Sequence, residues 1–272
     1  MDVYYINHLN ERIDLDSDNI ILQYQELYDY SWDSETVNGK ISGFYRDSVT
    51  IPVTVTVTAD TDEEYFSILE EFYAIISKDI ISAIPGRLHI GSQYLECYIS
   101  GDLKKDAFMG VPIQVKNLTI VTDRPMWIVE NPYTFHSYGV SSSNNKRYPG
   151  KYPCRYANGM SNTYIQNPHF TDANFSLMIY GPVTNPLVGI GGNSYLVNIV
   201  LETGERLEID SRTETINKLI VTGEMENAFH NREKGKTFFQ KIPPGRQEVS
   251  WTGKFDWDLT IYEERSEPKW EA

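Results

Sequence analysis

Residues 175–211, FSLMIYGPVTNPLVGIGGNSYLVNIVLETGERLEIDS, constrain the fold more than any other part of the chain. Phe175, Leu177 and Ile179 alternate with polar or weakly apolar neighbours, and Gly181-Pro182 then breaks the run. Asn185-Pro186 and 189–193 are further turn clusters, followed by an apolar run over 195–201 that reads as one strand. Thr203-Gly204 turns the chain again, and Leu207 and Ile209 alternate out of that turn. Short alternating strands with turn residues at this spacing predict a β-sandwich or barrel, and no helical period competes with them.

The rest of the chain extends the pattern with one exception. In the first 58 residues, Tyr4 and Ile6, and then 20–24, read as short strands with a polar turn over 14–19. Asn38-Gly39 is a hairpin signal, because both central residues of a type I′ turn need positive φ. In 51–58 valines face one way and threonines the other, with Pro52 tolerable near a strand end or edge. The exception is a helix over about 61–80. Thr61 and Glu64 have capping-box spacing, and Asp62, Glu63 and Glu64 sit where the helix dipole favours anions. Phe66, Leu69, Tyr73, Ile76 and Ile80 recur at helical steps, widened by Ile68, Phe72 and Ile75. That stripe is expected to pack on a sheet rather than to hold a cofactor.

Strands resume at 87–90 and 94–99, and 111–122 reads as a strand pair or one long strand. Residues 131–172 are turn-rich and polar, so a domain boundary is expected near 130. After 216–221 comes a polar excursion over 224–237, then 238–242 and a turn at 243–245. Near the end Phe255, Trp257, Leu259 and Ile261 alternate with Asp256, Asp258 and Thr260. The expected architecture is mainly β. Residues 1–130 form a barrel-like domain with one flanking helix, and 131–272 form a β-sandwich.

Charge divides at the same place. Residues 1–130 carry 22 Asp and Glu against 9 Lys and Arg, a net of −13, whereas 131–272 carry 16 against 15. A surface that grips nucleic acid needs a basic patch, and none is evident. No apolar run reaches the ~18 residues that span a bilayer. MDVYYINHLNERIDL lacks a basic-then-apolar leader, so a soluble chain made in the cytoplasm is expected. Cys97 and Cys154 fall in different expected domains and read as free thiols.

The motifs of chemistry fail one by one. Gly235-Lys236-Thr237 resembles the end of a phosphate loop, but His230 stands where that loop should open, and no helix follows. Gly189-Ile190-Gly191-Gly192 lacks the last glycine of a dinucleotide fingerprint and reads as a β-turn. Residues 159–163, GMSNT, lack the strand-to-helix context of a nucleophile elbow. His8, His89, His136, His169 and His230 have no metal-ligand spacing. The carboxylate pairs Asp256/Asp258 and Glu263/Glu264 lack the apolar surroundings that would raise one pKa. No catalytic, cofactor or metal residue is assigned, and the expectation is a non-enzyme.

Three local patterns together resemble one family. The first is Tyr148-Pro149-Gly150-Lys151-Tyr152-Pro153-Cys154-Arg155-Tyr156, a Tyr-Pro linker that departs from the family's pattern at Cys154-Arg155. The second is Ile179-Tyr180-Gly181-Pro182 with Asn185-Pro186, the strand at Tyr195 and the segment 204–211. The third is the closing run 262–270, YEERSEPKW. In this order they resemble the distal tail (Dit) proteins of tailed bacteriophages of Gram-positive hosts, the siphovirus tail-component family.

That resemblance implies a structural role in the virion tail tip, or baseplate. The N-terminal split-barrel domain would form a homohexameric ring that joins the tail tube protein to the tail-tip hub protein and passes DNA through its lumen. The C-terminal domain would be a galectin-like sandwich where receptor-binding proteins attach, with the last residues returning to the first domain. No cofactor, specific nucleic-acid binding or membrane partner is implied. Contacts between copies are expected at exposed strand edges in the first half. The alternative reading is a carbohydrate-binding β-sandwich module, with Trp251, Trp257 and Trp270 as stacking platforms.

Overall fold

A computed structural model describes residues 2–104, 110–137, 163–235 and 237–270. The linker motif at 148–156, Cys154, residues 159–162 of the GMSNT segment and Lys236 lie outside the described residues. The described chain is mainly β, as the sequence predicts, with one α-helix. It divides into two compact units: residues 1–129 with 264–272, and residues 130–263.

The first unit contains β1 (Val3–Ile6), β2 (Arg12–Asp14), β3 (Ile20–Gln25), β4 (Asp33–Val37), β5 (Lys40–Tyr45) and β6 (Val49–Thr58). The helix α1 (Asp62–Ser82), β7 (Gly86–Ile90), β8 (Gln93–Lys104), β9 (Ile113–Thr122) and the start of β10 (Trp127–Phe135) follow. All pairings are antiparallel. β8 belongs to two sheets: its first half pairs with β7, its second half with β9, and the register shifts between Ile99 and Gly101. One sheet then runs β2-β1-β7-β8 and the other β3-β6-β9-β8. Val53, Val55, Val57, Leu118 and Ile120 point from the second sheet into a core shared with Tyr5, Leu88 and Leu95 of the first. The threonines of β6 take the opposite face, and 113–122 is one strand rather than a pair.

The helix closes this core. Thr61 caps it, accepting from the Glu64 N–H at 3.2 Å. The Glu64 carboxylate instead takes the Asp60 N–H and the Asn19 side-chain amide, so only half of a capping box forms. The buried stripe overlaps the expected one at Phe72, Ile75 and Ile76 but is rotated from it. Tyr65, Phe72, Ile75, Ile76 and Asp79 face inward, while Phe66, Tyr73 and Ile80 are exposed. The helix is apolar on more than one side, so periodicity names a stripe but cannot choose the one that meets the sheet. Asp79 decides the rotation. Its carboxylate is fully buried and accepts from the Tyr5 hydroxyl at 2.5 Å and the His8 backbone N–H at 2.9 Å, with the His8 ring against it. Burial pushes the Tyr5 hydroxyl pKa up, so that it stays a neutral donor. Gly86 lies where a Cβ would overlap both the Tyr5 hydroxyl and the Asp79 carboxylate.

The second unit takes over within β10, after Val129. It adds β11 (Thr163–Asn167), β12 (Asn174–Tyr180), β13 (Val183–Thr184), β14 (Leu187–Ile190), β15 (Asn193–Leu196) and β16 (Val200–Leu201). Then come β17 (Arg206–Asp210), β18 (Thr215–Leu219), β19 (Met225–Asn227), β20 (Gly245–Trp251) and β21 (Trp257–Arg265). β19-β18-β17-β12-β21 form one sheet and β11-β20-β14-β15 the other. Phe175, Leu177, Ile179, Leu207, Ile209, Leu259 and Ile261 meet Ile165, Val188, Tyr195 and Val249 in a single core, which makes this a sandwich.

Three local expectations are corrected. The apolar run 195–201 is two short strands, because Val197 leaves the pairing of β15 to bridge Arg232. The turn-rich segment after 130 contains β11 and the end of β10, with Pro132 inside a strand. The division between the two units falls between Val129 and Glu130, within β10. The polar excursion holds β19 and a 3₁₀ turn over 229–231.

Asp79→Ala would strand the His8 N–H and leave the buried Tyr5 hydroxyl only its longer bond to the Cys97 carbonyl, and is expected to lower the unfolding free energy by about 3 kcal/mol. Tyr5→Phe is expected to lower it by about 1 kcal/mol. Urea denaturation of both variants checks the order, and equal losses would refute the central role of the carboxylate.

Candidate functional site

The groups that sequence reading singles out for chemistry are not gathered by the fold. Asp256 accepts from the Ser137 N–H at 2.6 Å, and that bond holds its carboxyl below the usual range. Asp258 accepts from the Tyr180 hydroxyl at 2.7 Å, which pushes Tyr180 up to about 12. A general acid needs the opposite shift on its carboxyl group. His89 stacks on Tyr4 at 4.5 Å, and burial holds its pKa down to about 4. His169 is bonded to Thr171. Among the described residues no three His, Cys, Asp or Glu side chains are grouped as metal ligands. Cys97 is a buried free thiol whose pKa burial pushes up, so it is not a ready nucleophile.

Glycine motifs resolve into turns. Gly191 and Gly192 both have positive φ, at 59° and 85°, and form the two-residue turn between β14 and β15. A Cβ on Gly181 would overlap the Glu202 carbonyl, so that position serves close strand approach. A cleft of about 320 Å³ between α1 and the β2–β3 turn is lined by Arg12, Asp14, Ser17, Asn19, Glu64 and Glu71. The Ser17 hydroxyl there accepts from the Ile20 N–H and faces no histidine.

What the fold does present is uncovered surface in the first unit. Among the described residues β3 pairs only with β6, which leaves its other edge open, with Ile21 and Tyr24 exposed beside it. The outer face of β6 and β9 bears Thr50 and Thr54 beside Val115, Thr119 and Val121, and no charge. On α1, Tyr73, Ile80 and Ile81 are exposed, with Ile84 just beyond its end. β4 and β5 form a two-stranded sheet of their own, where every residue but Gly43 is exposed. Sequence reading finds the Asn38-Gly39 turn of this hairpin but not its isolation. The signal is its composition, because Trp32, Val37, Ile41, Phe44 and Tyr45 are too few and too divided between faces to build a core.

Trp257 is fully buried and stacks on Phe135 at 4.1 Å, so it is a core residue and not a sugar platform. Trp270 stacks on Tyr28 at 4.2 Å, and Lys269 donates its N–H to the Gln93 side chain at 2.7 Å. No helix among the described residues is long and apolar enough to cross a membrane.

This fold is shared with solved proteins of phage baseplates. The chain is similar in structure to SPP1 Dit (gp 19.1), described as a paradigm of the hub adsorption apparatus in phages that infect Gram-positive bacteria. The TM-score is 0.57 at 11% identity, over 97% of this chain and 98% of that one. It is also similar to a chain of the phage P2 baseplate in its activated conformation with calcium, at TM-score 0.59 and 13% identity, over 98% and 100% of the two chains. The strontium form of that baseplate gives the same figures. No family model matches the sequence, and no curated protein matches it.

Since the hairpin adds nothing to a core, replacing residues 33–45 with a short Gly-Ser turn is expected to change the unfolding free energy by less than about 1 kcal/mol. Thermal unfolding of the purified chain checks this.

Proposed function

We propose that this chain is a structural subunit of a phage tail tip, a distal tail protein acting by shape and interface rather than by catalysis. Six copies would close into a ring through the first unit. That ring would connect the tail tube to the tail-tip protein and leave a lumen for DNA. The second unit would stand as a galectin-like lobe on which receptor-binding proteins attach. The observation that carries this reading is the likeness to SPP1 Dit over nearly the whole length of both chains. The uncovered edge, helix ridge and hairpin of the first unit fit it, since a closed ring needs two different complementary surfaces on each copy.

DNA passage suits the electrostatics. A conduit must not hold phosphate, and the half that would build it has a net charge of −13 from its 9 basic and 22 acidic residues. The sheet face of β6 and β9 offers no lysine or arginine either.

A second reading rests on one feature of the second unit. Leu187, Gly189, Ser194, Ser250, Trp251 and Thr252 line a shallow cleft of about 270 Å³. An indole beside hydroxyls is the chemistry that holds a sugar ring, so a carbohydrate-binding module is the alternative.

Native mass measurement of the purified chain is expected to give a hexamer, and negative-stain images a toroid with a central hole. A monomer that binds a glycan array would replace this reading with the second one. Mobility-shift assays at physiological salt are expected to show no duplex DNA binding. Thr54→Lys/Thr119→Lys should create binding if that face lines the lumen; a variant ring that still ignores DNA would place the face elsewhere.

A further inference from the structure

The β4–β5 hairpin is fixed at its base and uncovered along its blade. Arg46, one residue after β5, donates to the carbonyls of Pro125 and Ser266, and its guanidinium lies 5.8 Å from the Trp32 ring just before β4. The blade has a built-in asymmetry. A register shift between Glu35 and Thr36 sets Thr36 opposite Ile41 and Ser34 opposite Phe44. Directly opposed residues share a face, so Ser34, Thr36, Ile41 and Phe44 form one side without a charge. Asp33, Glu35 and Lys40 lie on the other side. Ile41 is 59% exposed and Phe44 62% exposed. A lone two-stranded hairpin is marginal in water, and an apolar face on it calls for a cover.

The same unit holds a second uncovered apolar surface of similar length. Tyr73, Ile80, Ile81 and Ile84 run along one side of α1 and past its end, and Ile81 is 83% exposed. At 1.5 Å per residue this ridge is about 16 Å long, and five residues of strand at 3.3 Å each span about 17 Å. Glu70 flanks the ridge one turn before Tyr73. The hairpin's carboxylates lie on its far face, so its uncharged side can meet the ridge without opposing acids. Both surfaces stay exposed within one chain.

We propose that the uncharged face of the hairpin of one copy seats on the Tyr73–Ile84 ridge of α1 in the next copy. This rests on the ring reading above and names one of its contacts. It is a head-to-tail contact, which closes a ring when repeated and uses two different surfaces of each subunit. The side chains involved can bury only roughly 300 Å² per partner, well below the ~800 Å² of a standard interface, so one contact alone is weak and closure is what holds it.

The test pairs cysteines with charges. Phe44→Cys/Tyr73→Cys, treated with a short bis-maleimide, is expected to give a covalent ladder ending at the closed ring. Either single variant should give no more product than wild type. Ile41→Glu/Phe44→Glu and Ile80→Glu/Ile81→Glu alter only exposed positions and should keep the wild-type circular dichroism while each loses the ring. If those charge variants still form rings, or the double cysteine variant cross-links no better than the singles, this contact is wrong and the ring reading survives. A wild-type chain that stays monomeric at every concentration removes both.

Discussion

The first unit depends on one strand doing two jobs. Residues 93–104 pair with β7 at one end and β9 at the other, and the register shift between Ile99 and Gly101 lets the strand turn from one sheet into the next. Because both sheets share this strand, their inner faces are held around one core and leave a side that only the helix can close. The fit of that helix is then set by a polar contact in an apolar setting. A buried carboxylate needs its donors, and Asp79 finds them in Tyr5 and His8 only at one rotation of α1. Gly86 gives the space in which they meet.

That rotation has a consequence at the surface. By turning Tyr65, Phe72 and Asp79 inward, it turns Tyr73, Ile80 and Ile81 outward. An isolated chain gains nothing from that exposure, nor from a hairpin that contacts no core. Both would suit the proposed subunit, whose remaining burial would take place between copies. Asp256 is held by a backbone N–H, His89 lies against a stacked ring, and Gly191 and Gly192 serve a tight turn.

The second unit is the part where strand alternation and structure agree most closely. Phe175, Leu177 and Ile179, and later Trp257, Leu259 and Ile261, are buried as their alternation predicts, since a half-buried strand leaves a period-two record in sequence. The record fails where tertiary contacts intervene. Val197 lies in an unbroken apolar run, yet its bridge to Arg232 ends the strand. Pro132 suggests a linker, yet it sits within β10. The C-terminal segment shows no period at all, and its placement depends on Gln93 and Tyr28, more than 170 residues away.

The amino-acid sequence alone determined that this is a mainly β chain with a helix after residue 60 and a strongly acidic first half. Those properties are written in local alternation, turn residues and counted charge, which need no partner to be read. Tertiary structure alone decided which side of the helix is buried, that one strand serves two sheets, and that the hairpin stands clear of every core. Each of these depends on contacts between residues far apart in the chain, and such contacts leave no period in the sequence that encodes them.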